Sequence, residues 1–268
     1  MITKPHKITP WLDSHCHFDF QIFDADREQH WRFLQRLGCA GMVIPGVSSN
    51  TWAGLIQLCE DKPWGYALGL HPYFLDLHQA GDLKKLKLAC QTHNPAAIGE
   101  FGLDFMLDES TFTEQVELCQ QQFKLAQEFN LPVILHVRKA YDEIAAMVRR
   151  LGFTKGGIIH AFSGSLQQGE SLIKLGFKLG IGGAISHGRA IKLRKTVSQL
   201  PLSSIVLETD SPDMRPSFIA SECNSPASIL LLAQITASLK ELALGEVLKA
   251  SNQNTLLALP KLRFVVEC

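Results

Sequence analysis

The stretch Thr111–Arg138, TFTEQVELCQQQFKLAQEFNLPVILHVR, contains the unit from which the fold can be predicted. From Phe112 to Ala126 apolar residues recur at steps of four and three, which places them on one face of an α-helix. Thr111 and Glu114 have the spacing of an N-terminal capping box. The run Pro132–Val137 follows and is almost wholly apolar, as expected for a strand covered on both faces.

The same alternation of apolar run and helix recurs along the chain. The eight apolar runs are Ile8–Cys16, Ala40–Val47, Tyr66–His71, Ala96–Phe101, Pro132–Val137, Gly157–Phe162, Phe177–Gly182 and Ser204–Leu207. The other predicted helices are Asp26–Leu37, Asp82–Thr92, Ala140–Leu151, Leu166–Leu175, Ala190–Gln199 and Ala227–Leu239. Such strands favour a parallel sheet covered by helices. Eight of them indicate an α/β fold of the (β/α)₈ barrel type, although alternation alone leaves a doubly wound open sheet as the alternative.

Composition narrows the class of protein. The 268 residues carry 26 Lys+Arg and 26 Asp+Glu, a balance that excludes a disordered chain and a broadly basic nucleic-acid-coating protein. The seven cysteines include no C-x-x-C pair, which argues against a disulfide framework or a cysteine zinc site. No apolar run is long enough to span a bilayer, and Met1–Pro10 lacks the apolar segment of a secretory signal. We therefore expect one domain over residues 1–268, cytoplasmic, without a membrane partner and more readily monomeric than oligomeric.

Ligand-type side chains stand where the predicted strands end. His15 and His17 are two residues apart, so their imidazoles share one face of the first strand and form a chelating pair. The other ligand-type residues at strand ends are His71, Glu100, His136, His160 and Asp210. In a barrel the carboxyl ends of all strands meet at the rim where barrel active sites lie. Even four of these histidines with the two carboxylates exceed what one tetrahedral zinc needs and suit two divalent ions. The sequence therefore predicts metal-assisted hydrolysis.

Four motifs resemble those of the TatD family, metal-dependent deoxyribonuclease-like hydrolases of the amidohydrolase superfamily. The motifs are His15-Cys16-His17-Phe18-Asp19, Gly99-Glu100-Phe101-Gly102-Leu103-Asp104, Phe162-Ser163-Gly164 and Glu208-Thr209-Asp210-Ser211-Pro212. The resemblance extends from about residue 11 to residue 260 and implies a distorted (β/α)₈ barrel.

The resemblance also implies roles for individual residues. The implied metal ligands are His15, His17, Glu100, His136, His160 and Asp210. Glu100 would bridge two divalent ions, and Asp210 would both bind metal and act as the catalytic base. His71 and Arg138 match positions close to the substrate phosphate. The implied activity is that of a phosphodiesterase acting on DNA or another phosphodiester, with zinc, manganese, nickel or magnesium left open as the metal.

One departure from the family pattern concerns substrate identity. Many members carry Asn-Glu-Pro after the eighth strand, whereas this chain has Asn224-Ser225-Pro226. Two functions remain as alternatives to phosphodiester hydrolysis. The chain could hydrolyse a small ester or amide, as elsewhere in the superfamily, or it could bind metal without catalysis. Three further carboxylates, Asp19, Asp104 and Glu208, are expected to hold ligand side chains or loops in place rather than to bind metal.

Overall fold

Eight parallel strands follow one another in chain order around the molecule. The computed structural model describes residues 9–264. The strands are β1 Trp11–Asp13, β2 Cys39–Gly46, β3 Trp64–Leu68, β4 Ala97–Asp104, β5 Val133–Arg138, β6 Gly157–Ile159, β7 Phe177–Ile181 and β8 Ile205–Leu207. Each strand from β1 to β7 pairs in parallel with its successor. Each of the eight predicted runs therefore overlaps a strand, and Ile8, the first residue of the first run, lies outside the described residues.

Helices connect the strands. They are α1 Arg27–Arg36, α2 Trp52–Cys59, α3 Asp82–Thr92, α4 Phe112–Glu128, α5 Tyr141–Leu151, α6 Leu166–Lys174, α7 Ile191–Gln199, α8 Ile229–Lys240 and α9 Leu244–Ala258. The sequence did not predict α2 and α9. The capping box predicted at Thr111 is wrong, because the Thr111 side chain caps no N–H of α4 and its hydroxyl instead donates to the Asp108 carbonyl. A capping box does form at α6, between Ser165 and Gln168.

The barrel is distorted where β8 meets β1. No ladder joins these two strands in the described part of the chain. The backbone bonds between them lie at or just beyond their carboxyl ends, among them those from the Ser14 N–H to the Leu207 carbonyl and from the Asp210 N–H to the His15 carbonyl. Side chains of α9 satisfy the backbone instead. Asn252 Oδ1 accepts from the Leu12 N–H and its amide donates to the Pro10 carbonyl, while Ser251 Oγ accepts from the Leu207 N–H. The last helix thus closes the barrel.

A small apolar cluster lies beneath the carboxyl ends of the strands. It includes Ile134 of β5, Ile158 of β6 and Val206 of β8, all fully buried. Because side chains alternate along a strand, residues two positions further on share the same face. Those residues are His136, His160 and Glu208, so the cluster forms an apolar layer directly beneath these side chains.

Within residues 9–264, no single helix is long and apolar enough to cross a membrane. One pair, Pro226–Lys240 with Leu244–Ala258, reaches the required length and composition only in combination and is bent by 107°.

Candidate metal centre

The six predicted ligands converge at the rim formed by the carboxyl ends of the strands. His15 and His17 follow β1, Glu100 lies within β4 and His136 within β5. His160 follows β6 directly, and Asp210 lies three residues after β8. All are buried except His136 and Asp210, which are partly exposed at the surface of the site.

One group of donor atoms surrounds a carboxylate oxygen of Glu100. Glu100 Oε2 lies 3.2 Å from His15 Nε2 and 3.5 Å from His17 Nε2. Asp210 Oδ1 lies 3.4 Å and 3.5 Å from the same two nitrogens. Two imidazole nitrogens and two carboxylate oxygens thus face one another.

A second group surrounds the other oxygen of Glu100. Glu100 Oε1 lies 3.4 Å from His136 Nδ1 and 3.6 Å from His160 Nε2. Asp210 Oδ2 lies 3.8 Å from His160 Nε2. Glu100 therefore places one oxygen in each group, and Asp210 also reaches both, with its longer contact in the second group.

These separations fit divalent metal ions. Metal–ligand bonds of about 2.0–2.2 Å in a tetrahedral arrangement place neighbouring ligand atoms about 3.3–3.6 Å apart. Both ring nitrogens of His15 and Nδ1 of His17 are buried without a hydrogen-bond partner in the described chain. Orphaned buried nitrogens are costly unless something binds them. The donor set present is therefore suited to hold metal.

Carboxylates behind the site orient two of the imidazoles. Asp104 Oδ2 lies 3.0 Å from His136 Nε2, and Glu208 Oε1 lies 3.0 Å from His160 Nδ1. The Glu208 carboxylate also accepts from the Ala161 N–H at 2.6 Å. Gly180 leaves room for Glu208, since a methyl group there would overlap its other oxygen. Each ring thus presents one nitrogen to Glu100 and binds a carboxylate with the other, as metal-binding histidines commonly do.

Asp19, the third carboxylate expected to hold ligand side chains or loops in place, differs from Asp104 and Glu208 in its partners. Asp19 forms no hydrogen bond with any of the ligand histidines within residues 9–264, and its Oδ1 has no partner there.

A buried network that the sequence did not reveal joins β1 to the loop after β8. Asp13 Oδ1 accepts from the His15 N–H at 3.2 Å and from the Thr209 N–H at 3.1 Å, and Asp13 Oδ2 accepts from the Thr209 hydroxyl. Asn224 donates to the Thr209 carbonyl at 2.8 Å. These contacts hold the backbone beside His15 and Asp210. The only sequence signal was that Asp13 lies two residues before His15, on the same face.

Ser225, which replaces the glutamate of many family members, has a backbone role. Its hydroxyl accepts from the Ala227 N–H, at the start of the short 3₁₀ helix Pro226–Ser228.

His71 lies close to Glu100, yet its tautomer makes it a poor metal ligand. Its Nε2 is 3.3 Å from Glu100 Oε1. Its Nδ1 accepts from the Tyr73 N–H at 3.0 Å, so in the neutral ring Nε2 carries the hydrogen. Burial lowers the pKa of His71 to about 4, which keeps the ring neutral. His71 Nε2 therefore acts as a hydrogen-bond donor at the edge of the site.

Charges in the site are strongly coupled. Burial disfavours the charged form of Glu100, but the imidazoles of His15, His71 and His160 hold its pKa well below the ordinary range. Burial lowers the pKa of His17, yet the hydrogen bond with Glu100 and the charge of Asp210 raise it to about 9 overall. Protons and metal ions compete for such imidazole nitrogens, so metal binding would release protons.

An open cleft of about 610 Å³, here called the metal cleft, leads to the donor groups. Arg138 lies on its rim at the end of β5, with Nη1 3.9 Å from Asp104 Oδ2 and a side chain 61% exposed. Tyr73 also lines the cleft and is 66% exposed. The geometry gives a buried donor set with a cationic and aromatic rim.

An eight-stranded parallel barrel with a shared-carboxylate donor set at its rim defines the class of metal-dependent barrel hydrolases. The sequence profile of TatD related DNase matches residues 12–259. The metal-dependent hydrolase YjjV of Escherichia coli K12 is 37% identical over 252 residues, which cover 92% of this chain and 97% of that protein. The chain therefore belongs to the TatD family of metal-dependent hydrolases.

A solved structure and one further relative extend the comparison. The crystal structure of Escherichia coli YjjV, a TatD homologue, superposes with a TM-score of 0.91 at 35% identity and covers 95% of this chain and 99% of that one. This match confirms the predicted distorted barrel. A protein of Pantoea sp. At-9b named 3′-5′ ssDNA/RNA exonuclease TatD is 32% identical over 199 residues, 72% of this chain and 76% of that protein.

Proposed function

We propose that this chain hydrolyses phosphodiester bonds of single-stranded nucleic acid and holds two divalent ions for that purpose. The ligands would be His15, His17, Glu100, His136, His160 and Asp210, with Glu100 shared between the ions. The observation that carries the proposal is the pair of donor groups on the two oxygens of Glu100, at the bottom of one open cleft.

Two ions in such a site supply Lewis acidity that activates water and offsets charge on phosphoryl oxygens. The chain itself fixes the donor atoms through Asp104, Glu208 and the Asp13 network. Rigid placement of this kind reduces the reorganisation needed when charge develops during reaction.

Asp210 is proposed as the proton acceptor. It is the more exposed of the two site carboxylates, with 13% of its side chain accessible against 2% for Glu100. Its position between the donor groups and the cleft lets it take the proton of the attacking water. Glu100 is surrounded by imidazoles on both oxygens, which suits a bridging ligand.

His71 and Arg138 are proposed to contact the phosphate. His71 Nε2–H is a neutral donor beside Glu100, and the Arg138 guanidinium is a cation on the rim. Phosphate oxygens accept from both kinds of donor. The exposed ring of Tyr73 offers a face on which a base can stack, as aromatic residues do in proteins that bind single strands. The name of the Pantoea relative supports the same substrate class.

The test uses purified protein stripped with a chelator and reloaded with one metal at a time. The four His ligands favour manganese, zinc or nickel over magnesium by ligand softness. We expect about two ions bound per chain and metal-dependent cleavage of short single-stranded DNA or RNA. Metal-loaded protein that leaves DNA and RNA intact but cleaves small esters or amides would replace the proposal with the superfamily alternative. Protein that binds metal and cleaves none of these substrates would favour a non-catalytic role. Cytoplasmic location and a monomeric state stay predictions from the sequence.

A further inference from the structure

A second cavity adjoins the metal cleft beside α5 and α6. It measures about 370 Å³, within the range of pockets that hold small ligands. Its lining includes Arg138, Lys139, Tyr141, Ser163 and Ser165, and we call it the Lys139 cavity. Arg138 and Ser163 also line the metal cleft, so the two spaces are direct neighbours.

The Lys139 cavity is cationic. Arg138 and Lys139 are exposed, and none of the carboxylates in residues 9–264 lines the cavity. Lys139 forms no ion pair with any residue between 9 and 264. The Arg138 guanidinium, by contrast, forms an ion pair with Asp104. The nearest acid in sequence, Asp142 of α5, accepts a hydrogen bond from the Gln168 amide. Lys139 therefore offers an uncompensated positive charge one residue beyond the rim of the metal cleft.

Hydroxyl donors complete the cavity. Tyr141 Oη accepts from the Ser163 N–H at 2.9 Å and lies 3.1 Å from Ser163 Oγ. Whichever hydroxyl donates in that pair, the other keeps a free hydrogen. Ser165 Oγ accepts from the Gln168 N–H, which leaves its own hydrogen available as well. Two hydroxyl donors and two cations are the groups that bind a phosphate.

The opposite side of the metal cleft has the opposite charge. A cavity of about 800 Å³, the acidic cavity, shares Phe20 and Asp213 with the metal cleft. Four carboxylates line it: Asp19, Asp24, Asp213 and Glu222. Its one cation, Arg27, is bound to Asp24 and to the backbone carbonyls of Phe18 and Asp19. A polyanionic strand is repelled on this side.

We propose that the Lys139 cavity binds the phosphate that neighbours the scissile phosphate, so that the substrate strand leaves the metal cleft toward α5 and α6 rather than toward the acidic cavity. This inference rests on the proposed phosphodiesterase function and adds to it a direction for the strand. Its ligand is a single backbone phosphate, recognised by charge and hydrogen bonds without base specificity.

The test removes one charge from the protein and one from the substrate. Lys139 has a left-handed backbone with φ of 58°, which asparagine tolerates, so Lys139→Asn removes the charge without added strain. The substrates are a trinucleotide and two analogues in which one or the other linkage is a neutral, uncleavable methylphosphonate. Each analogue keeps one scissile phosphate and lacks the charge on one side of it.

In metal-loaded protein, Lys139→Asn should lower kcat/KM for the unmodified trinucleotide by about two- to fivefold, the size of an exposed ion pair. One analogue should already be poorer in the wild type and lose little more in the variant, because the phosphate that Lys139 contacts is neutral there. On a longer oligonucleotide, the slope of log(kcat/KM) against log salt should become shallower by about 0.7, the contribution of one contact on a single strand.

Lys155→Asn is the matched control, since Lys155 is exposed and precedes β6 at the opposite end of the barrel. It should not change the ratio between the substrates. Equal losses on all three substrates, or none, with Lys139→Asn would overturn the inference while leaving the proposed function intact. A metal-loaded wild type that cleaves no trinucleotide would overturn both.

Discussion

Asp210 combines an uncommon backbone conformation with a central place in the donor set. Its φ is 55°, a left-handed region in which aspartate and asparagine are the most tolerated non-glycine residues. Asp210→Asn therefore keeps the backbone and one oxygen while it removes the negative charge and the basicity. We expect turnover on an oligonucleotide to fall by about 10²–10⁴-fold, the usual contribution of a general base.

Measured metal content distinguishes the loss of a general base in Asp210→Asn from the loss of the metal site itself. Glu100→Ala removes the carboxylate that both donor groups share and should lower metal content more than Asp210→Asn does. Near-normal cleavage by Asp210→Asn, measured with full metal occupancy, would exclude Asp210 as the proton acceptor.

The carboxylate of Asp104, which lies behind His136, is expected to raise the affinity of the site for metal. It is 2% exposed and contacts His136 Nε2 at 3.0 Å. Loss of such an orienting carboxylate costs about 10–100-fold in metal affinity or activity. We expect Asp104→Ala to show that loss in metal titrations. Glu109→Ala, which removes an exposed carboxylate from the following turn, should titrate like the wild type; equal affinities for all three proteins would exclude the orienting role.

Site residues could be predicted from the sequence where a side chain able to bind metal stands at the end of an apolar strand. His15, Glu100 and His160 are ligand-type side chains in otherwise apolar surroundings, so the sequence alone indicated their convergence. Asp13 could not be given a role in this way, because its partner Thr209 is 196 residues away and becomes a neighbour only when the barrel closes. The hydrogen on His71 Nε2 follows from a backbone contact with Tyr73, which no residue pattern reveals.

At the scale of elements, α9 replaces the missing ladder between β8 and β1. The Asn252 side chain is 4% exposed and satisfies the Leu12 N–H and the Pro10 carbonyl. Asn252→Ala would leave these buried groups unpaired, at a cost of about 1–3 kcal/mol in the free energy of unfolding. Gln253→Ala is the control, because Gln253 is exposed on the same helix. Equal stability of the two variants in urea unfolding would show that α9 does not close the barrel in this way.

The same polar contacts explain why the sequence did not predict α9. Its buried face carries Ser251, Asn252, Asn254 and Thr255 among apolar residues, which interrupts the apolar stripe expected of an amphipathic helix. Helix α2 escaped prediction for another reason: it has only eight residues, Trp52–Cys59, too few for a clear period. By contrast α4, with 17 residues, buries Cys119, Phe123 and Ala126 of its predicted stripe, while Phe112 and Val116 at its start are partly exposed.

At the scale of the whole molecule, alternation of strands and helices could not decide between a barrel and an open sheet. That difference lies in contacts between the segments that follow the first and last strands, such as the bond from the Asp210 N–H to the His15 carbonyl. The balanced net charge likewise conceals a division of the surface near the metal cleft, with carboxylates in the acidic cavity and cations in the Lys139 cavity. Both properties depend on which distant residues become neighbours.

Metal binding should stabilise the whole barrel, because the donor atoms come from β4, β5 and the segments after β1, β6 and β8. A ligand at 100 times its Kd stabilises the folded state by about 2.7 kcal/mol, and each kcal/mol shifts Tm by about 2–4 °C in a domain of this size. We expect chelation to lower Tm by roughly 5–10 °C and saturating manganese or zinc to restore it. Glu100→Ala should lose most of this response in thermal unfolding because it lacks the carboxylate that contacts all four ligand imidazoles. A wild-type Tm that is the same with chelator and with metal would contradict a high-affinity site.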